Sequence, residues 1–84
     1  MAKTSPFSNS IRRLRFEREE MTQQALAKSV GVTRQTIIAL EQNRYVPSLL
    51  LAMRIANVFG VDVTEVFELP SEERAAPAPS APVD

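Results

Sequence analysis

The stretch TQQALAKSVGVTRQTIIALEQ, from Thr22 to Gln42, constrains the fold more than any other part of the chain. Thr22 can cap one helix, in which Ala25, Leu26 and Val30 form an inward stripe at helical spacing. Gly31 then stands where a helix end favours a left-handed residue, which glycine supplies without a Cβ clash. Thr33 can cap the next helix over 34–42, with Ile37 and Leu40 turned inward. Asn43 follows as a second residue tolerant of the left-handed region. Only Val30–Thr33 joins these helices, too short a turn for a full antiparallel hairpin, so the two must cross steeply.

The flanking sequence supplies three more helices and nothing extended. Ile11, Leu14 and Arg18 share one face of a leading helix, with Asn9 or Ser10 as its cap. Pro47 and Ser48 open a fourth helix, where Leu50, Leu51, Ile55, Val58 and Phe59 are core candidates and Gly60 marks the end. Asp62 can cap a short fifth helix containing Val66 and Phe67. No internal repeat is visible. The 84 residues suit one small domain with a single core. The expected fold is therefore all-α, a compact five-helix domain over residues 9–69. Residues 1–8 form a flexible N-terminal arm, and residues 70–84, acidic and rich in Pro and Ala, form a disordered tail.

Composition narrows the chemistry. The sequence contains no Cys and no His, which removes thiolate chemistry, disulfides, the usual general base and the commonest metal ligand. There is no Gly-rich phosphate loop and no obvious pair of inward carboxylates, so an enzyme is not expected, nor a metal or other cofactor. No apolar run approaches the roughly 20 residues that cross a bilayer, so no membrane partner is expected. The opening MAKTSPFSNS lacks the apolar core of a signal peptide, which makes a cytoplasmic protein the expectation.

The formal net charge of zero conceals a division. Residues 1–61 carry nine Lys and Arg against four Glu, a balance of +5, and residues 62–84 carry Arg74 against six acids, a balance of −5. A basic body suggests an anionic partner, although a solvated helical surface with a soluble tail accounts for the charges equally well.

The steep crossing is helix-turn-helix geometry, in which the first helix of the pair lies across a nucleic-acid backbone and the second enters the major groove N-terminus first. Arg34, Gln35, Ile38 and Gln42 share the face of that second helix roughly opposite Ile37 and Leu40. Arginine, glutamine and an aliphatic side chain together offer the donors, acceptors and methyl contacts that base edges require.

At this point IRRLRFERE, TQQALAKSVGVTRQTIIALEQNRYVPSL and LAMRIANVFGVDVTEVF together resemble a known family. It is the lambda-repressor-like helix-turn-helix domains of phage repressor and Cro type, widespread in small bacterial regulators. The resemblance covers about Asn9 to Leu69. It implies a homodimeric, sequence-specific transcriptional regulator that binds double-stranded DNA.

By that resemblance Gln23 holds a phosphate near the positive end of its helix. Thr33 meets the backbone from its cap, Arg34 and Gln35 reach base edges, and Thr36 touches phosphate or sugar. Asn43 and Arg44 fasten the following loop to the DNA backbone. Ile38 either meets a thymine methyl or packs sideways on a neighbour. Each polar residue also has a plainer reading: Gln23, Arg34, Gln35 and Thr36 as exposed helix residues, Thr33 as a cap, Asn43 as a turn residue. Arg15 and Glu41 are expected to pair inside the fold, so Glu41 is no acid catalyst.

Two departures from the family pattern stand out. Glu19-Glu20-Met21 replaces a single glycine between the first two helices and is one residue longer. Asn43 replaces a glycine common after the recognition helix.

One recognition helix reads only a few base pairs, so two copies at an inverted repeat are expected. Val61 and Leu69 are the favoured dimer contacts, while Val63, Val66 and Phe67 can instead close the monomer core. No small-molecule effector is evident, and occlusion of a promoter by a repressor is the economical mechanism. The competing class is an antitoxin-like or other protein-interaction module, which the short tail favours less because it lacks apolar anchors.

Overall fold

Three helices end in the same way, and those endings set the path of the chain. The computed structural model describes residues 8–70. In order they form β1 (Ser8–Asn9), α1 (Ile11–Glu17), α2 (Gln23–Val30), α3 (Arg34–Glu41), α4 (Leu49–Phe59), α5 (Val63–Val66) and β2 (Phe67–Glu68). Gly31, Asn43 and Gly60 follow α2, α3 and α4 in the left-handed region, at φ of 79°, 59° and 69°. In each case the next amide donates back to a carbonyl five residues earlier: Val32 to Ala27, Arg44 to Ala39, Val61 to Ala56. This is the Schellman closure, which satisfies carbonyls the helix leaves open.

The starts are equally local. The side-chain oxygens of Thr22, Thr33 and Ser48 accept from the amides of Ala25, Thr36 and Leu51 at 2.9, 3.2 and 3.1 Å. Each occupies one of the donors that open a helix. Asp62 sits at the N-cap position of α5 but makes no side-chain cap bond, contrary to the sequence expectation.

The core is one cluster drawn from all five helices. Ile11, Leu26, Val30, Ile37, Leu40, Ile55 and Val66 are its most deeply buried members. In two helices the buried stripe differs from the sequence reading. Ala27, not Ala25, faces the core from α2, because Ala25 shares its exposed face with Ser29 one turn on. In α4 the buried stripe is Leu51, Ala52, Ile55, Ala56 and Phe59, whereas Leu50 lies beside Arg54 and is 59% exposed. Arg18 is also not inward. It caps α1, and its guanidinium donates to the Phe59 carbonyl.

One feature was not expected at all. β1 pairs antiparallel with β2, Ser8 opposite Glu68 and Asn9 opposite Phe67. Asn9 then ties three elements together: its Oδ1 accepts from the Ile11 amide at 3.1 Å, and its Nδ2 donates to the Leu40 carbonyl and to Asn43 Oδ1, both at 2.9 Å. It thus accepts the first amide of α1, whose N-cap position is Ser10, while fixing the end of α3.

The turn after α1 absorbs the extra residue noted in the sequence. Glu19 and Glu20 both adopt the left-handed region, at φ of 57° and 58°, and the Met21 amide reaches back to the Arg15 carbonyl at 2.8 Å. Two consecutive L-residues there are strained. The flexible arm and disordered tail expected for the termini lie outside the described residues, save Ser8 and Pro70. Among the described residues no helix is long and apolar enough to cross a membrane.

Candidate nucleic-acid interface

Ile37 and Leu40 anchor α3 in the core, and this leaves the opposite side of the helix open. Arg34 and Gln35 are exposed in its first turn, and neither side chain has a hydrogen bond or ion pair among the described residues. Thr36, Ile38 and Ala39 are half-buried along its flanks, and Gln42 is exposed at its end. Thr33 Oγ1 caps the helix and lies 3.2 Å from Thr36 Oγ1, so both hydroxyls are oriented at the helix start.

Beneath the open face lies a fixed polar floor. Arg15 donates to Glu41 through Nε at 2.7 Å and through Nη2 at 3.2 Å, and through Nη1 to the Met21 carbonyl at 2.8 Å. Gln23 Nε2 donates to Glu41 Oε1 at 3.1 Å. The Arg15 and Glu41 side chains are each 11% exposed. The network joins α1, α2 and α3, so the N-terminus of α2 is held in register with α3. Gln23 is therefore a member of this network.

Asn43 serves the turn after α3 and receives Asn9 on its Oδ1. Arg44 follows it, exposed and with no ion pair among the described residues.

Residues that the sequence reading passed over also border this face. A cleft of about 680 Å³ lies between α1 and α3 and reaches the N-terminus of α2; Arg12 and Phe16 of α1 and Glu20 of the following turn line it with Arg34, Ile38 and Gln42 of the α3 segment. The Arg12 guanidinium lies 5.7 Å from the centroid of the Phe16 ring, a cation–π arrangement. In the sequence it is signalled only by the i, i+4 spacing of Arg12 and Phe16 in IRRLRFERE.

The two residues expected at a dimer contact differ in exposure. Leu69 is 41% exposed and borders an apolar groove, whereas Val61 is half-buried against the core. Val66 is buried and Phe67 half-buried.

Comparison with known proteins agrees with this geometry. The helix-turn-helix family matches residues 11–66. An uncharacterised helix-turn-helix-type transcriptional regulator from Methanothermobacter thermautotrophicus is 54% identical over 59 residues, covering 67% of this chain and 86% of that protein. The cryptic phage CTXphi transcriptional repressor RstR of Vibrio cholerae is 35% identical over 60 residues, covering 71% of this chain and 53% of that protein. The crystal structure of a hypothetical transcription factor, NHTF, from Neisseria superposes with a TM-score of 0.64 at 25% identity, covering 77% of this chain and 74% of that one. The matched span 11–66 contains the α2–turn–α3 unit, and the chain belongs to the helix-turn-helix family of phage-repressor and Cro type, a family of DNA-binding transcriptional regulators.

Proposed function

We propose that the protein is a dimeric, cytoplasmic repressor that reads an inverted repeat through α3 and acts by covering a promoter. The observation that carries this reading is the open first turn of α3, where Arg34 and Gln35 have no partner within the described chain. Arg34 donates to guanine acceptors, Gln35 makes paired contacts with adenine, and Ile38 lies on the flank where a thymine methyl can meet it. Thr33, Thr36, Gln23, Asn43 and Arg44 hold phosphate and sugar around them, fixing register rather than sequence. The similarity to a named phage repressor supports repression over activation. A domain of this size blocks polymerase simply by occupying its site, and no cofactor or effector enters the mechanism.

The dimer reading draws on an apolar face at the start of α4. Leu49, Leu50 and Met53 are exposed, Leu49 at 72%. Beside them is an apolar groove of about 400 Å³ lined by Val46, Pro47, Ala52, Val63 and Leu69. A two-fold contact needs projection and recess on the same patch, and this surface carries both. Leu69 belongs to it, while Val61 lines its far side with Met53. An antitoxin-like partner could use the same face. A second copy is favoured because a single α3 carries too little sequence information for a genomic site. The test is enrichment of bound duplexes from a random library: an inverted repeat with half-sites about one helical turn apart supports the reading, and no enriched sequence overturns it.

A further inference from the structure

We propose that the cleft between α1 and α3 seats one sugar–phosphate strand of bound DNA, with Arg12 as a phosphate contact and Phe16 as an apolar wall against deoxyribose. The inference rests on the DNA-binding reading above and extends it to a helix outside the α2–α3 motif. The major groove is about 12 Å wide and a helix with its side chains about 10–12 Å across, so the bordering strands must run along the flanks of α3. On the flank bearing Ile38 and Gln42, the space a strand can occupy is this cleft, whose far wall is Arg12 and Phe16.

The charges fit that occupant. The floor is neutral and already satisfied, because Arg15 and Glu41 are bound to each other and Glu41 also receives Gln23. What remains over the cleft is Arg12 and Arg34 against one free carboxylate, Glu20. Arg12 is stacked over the Phe16 ring, which restricts the guanidinium and limits the rotamer freedom lost on engaging a phosphate. Phe16 itself is 53% exposed and lines the cleft together with half-buried Ile38, apolar surface suited to the hydrocarbon face of a sugar. Glu20 opposes the strand from the lip of the cleft, on a backbone in the left-handed region.

Arg13 provides an internal control. It is a neighbouring arginine on α1, bound to Glu17 at 3.0 Å and absent from the cleft lining. Binding of a labelled random-sequence duplex and of a library-selected duplex is measured across potassium chloride concentrations, for the full chain and for R12Q, R13Q, F16A, E20Q and R34A. All five side chains are exposed, and circular dichroism checks that each variant is folded.

R12Q should weaken both duplexes about five- to tenfold and flatten the salt slope by about 0.9, without changing base preference. R13Q should change affinity less than about twofold, F16A should weaken binding, and E20Q should tighten it. If R12Q and R13Q behave alike while R34A still relaxes base preference, the cleft inference is overturned and the DNA-binding reading stands. If the unaltered chain binds neither duplex, both fall.

Discussion

Arg15 and Glu41, 26 positions apart in the chain, meet through two hydrogen bonds at 2.7 and 3.2 Å and lock α1 to the end of α3. Both side chains are nearly buried, so removing either leaves the other without its main partner. Glu41→Ala or Arg15→Ala should therefore destabilise the domain by about 3 kcal/mol or more. The double variant Arg15→Ala/Glu41→Ala should lose clearly less than the sum of the two singles. Urea unfolding measures all four chains, and strictly additive losses would show that the pair is not coupled.

The strained turn after α1 gives a prediction of opposite sign. The left-handed penalty at Glu19 and Glu20 is about 1–2 kcal/mol each, and glycine adds back about 0.4–1 kcal/mol of unfolded-state entropy. Glu19→Gly or Glu20→Gly should each raise stability by about 0.5–1 kcal/mol on balance. A lower melting temperature in either variant contradicts the assigned backbone conformation.

The two glycine helix ends should respond unequally to alanine. A Cβ at Gly31 would sit 3.8 Å from Arg54 Nη1, an ordinary contact, so Gly31→Ala should cost only the conformational penalty of about 1–2 kcal/mol. At Gly60 it would meet Arg18 Nη2 at 3.2 Å and press on the guanidinium that donates to the Phe59 carbonyl. Gly60→Ala should be the more damaging, and prior replacement of Arg18 by Ala should erase the difference. Thermal melts of the two substitutions in both backgrounds decide the matter.

Local chemistry made much of this architecture readable in advance. Thr22 and Thr33 as caps, Ser48 as a helix start and Gly31, Asn43 and Gly60 as helix terminators act within one turn of themselves, so their roles are written in neighbouring residues. The exposed face of α3 followed from the spacing of Ile37 and Leu40, both of which are buried. What stayed hidden depends on distant partners. Asn9 bonds to Leu40 and Asn43 across 31 and 34 positions, and a two-residue strand has no periodicity to detect. Arg12 and Phe16 look like any exposed pair on α1 until the fold turns that side of the helix toward α3. Leu50 misled because an apolar residue one step off the stripe cannot be told from a core residue by type alone.

The exposed start of α4 yields a prediction about assembly. Leu49→Asp and Leu69→Asp should each shift the monomer–dimer equilibrium toward monomer by about tenfold or more, while leaving the melting of the monomer nearly unchanged. Sedimentation velocity over a concentration series reads the equilibrium directly. A protein that is monomeric at all concentrations and protects a single half-site on DNA is incompatible with the proposed dimer.

The central claim is that Arg34 and Gln35 read bases, and selection from a random duplex library with each variant tests it most directly. Arg34→Ala and Gln35→Ala should each weaken the wild-type site by about 1–3 kcal/mol and broaden the selected motif at one position per half-site. Arg44→Ala should weaken all sequences alike and leave the motif intact. Should Arg34→Ala and Gln35→Ala both return the wild-type motif at wild-type affinity, α3 is not the recognition helix.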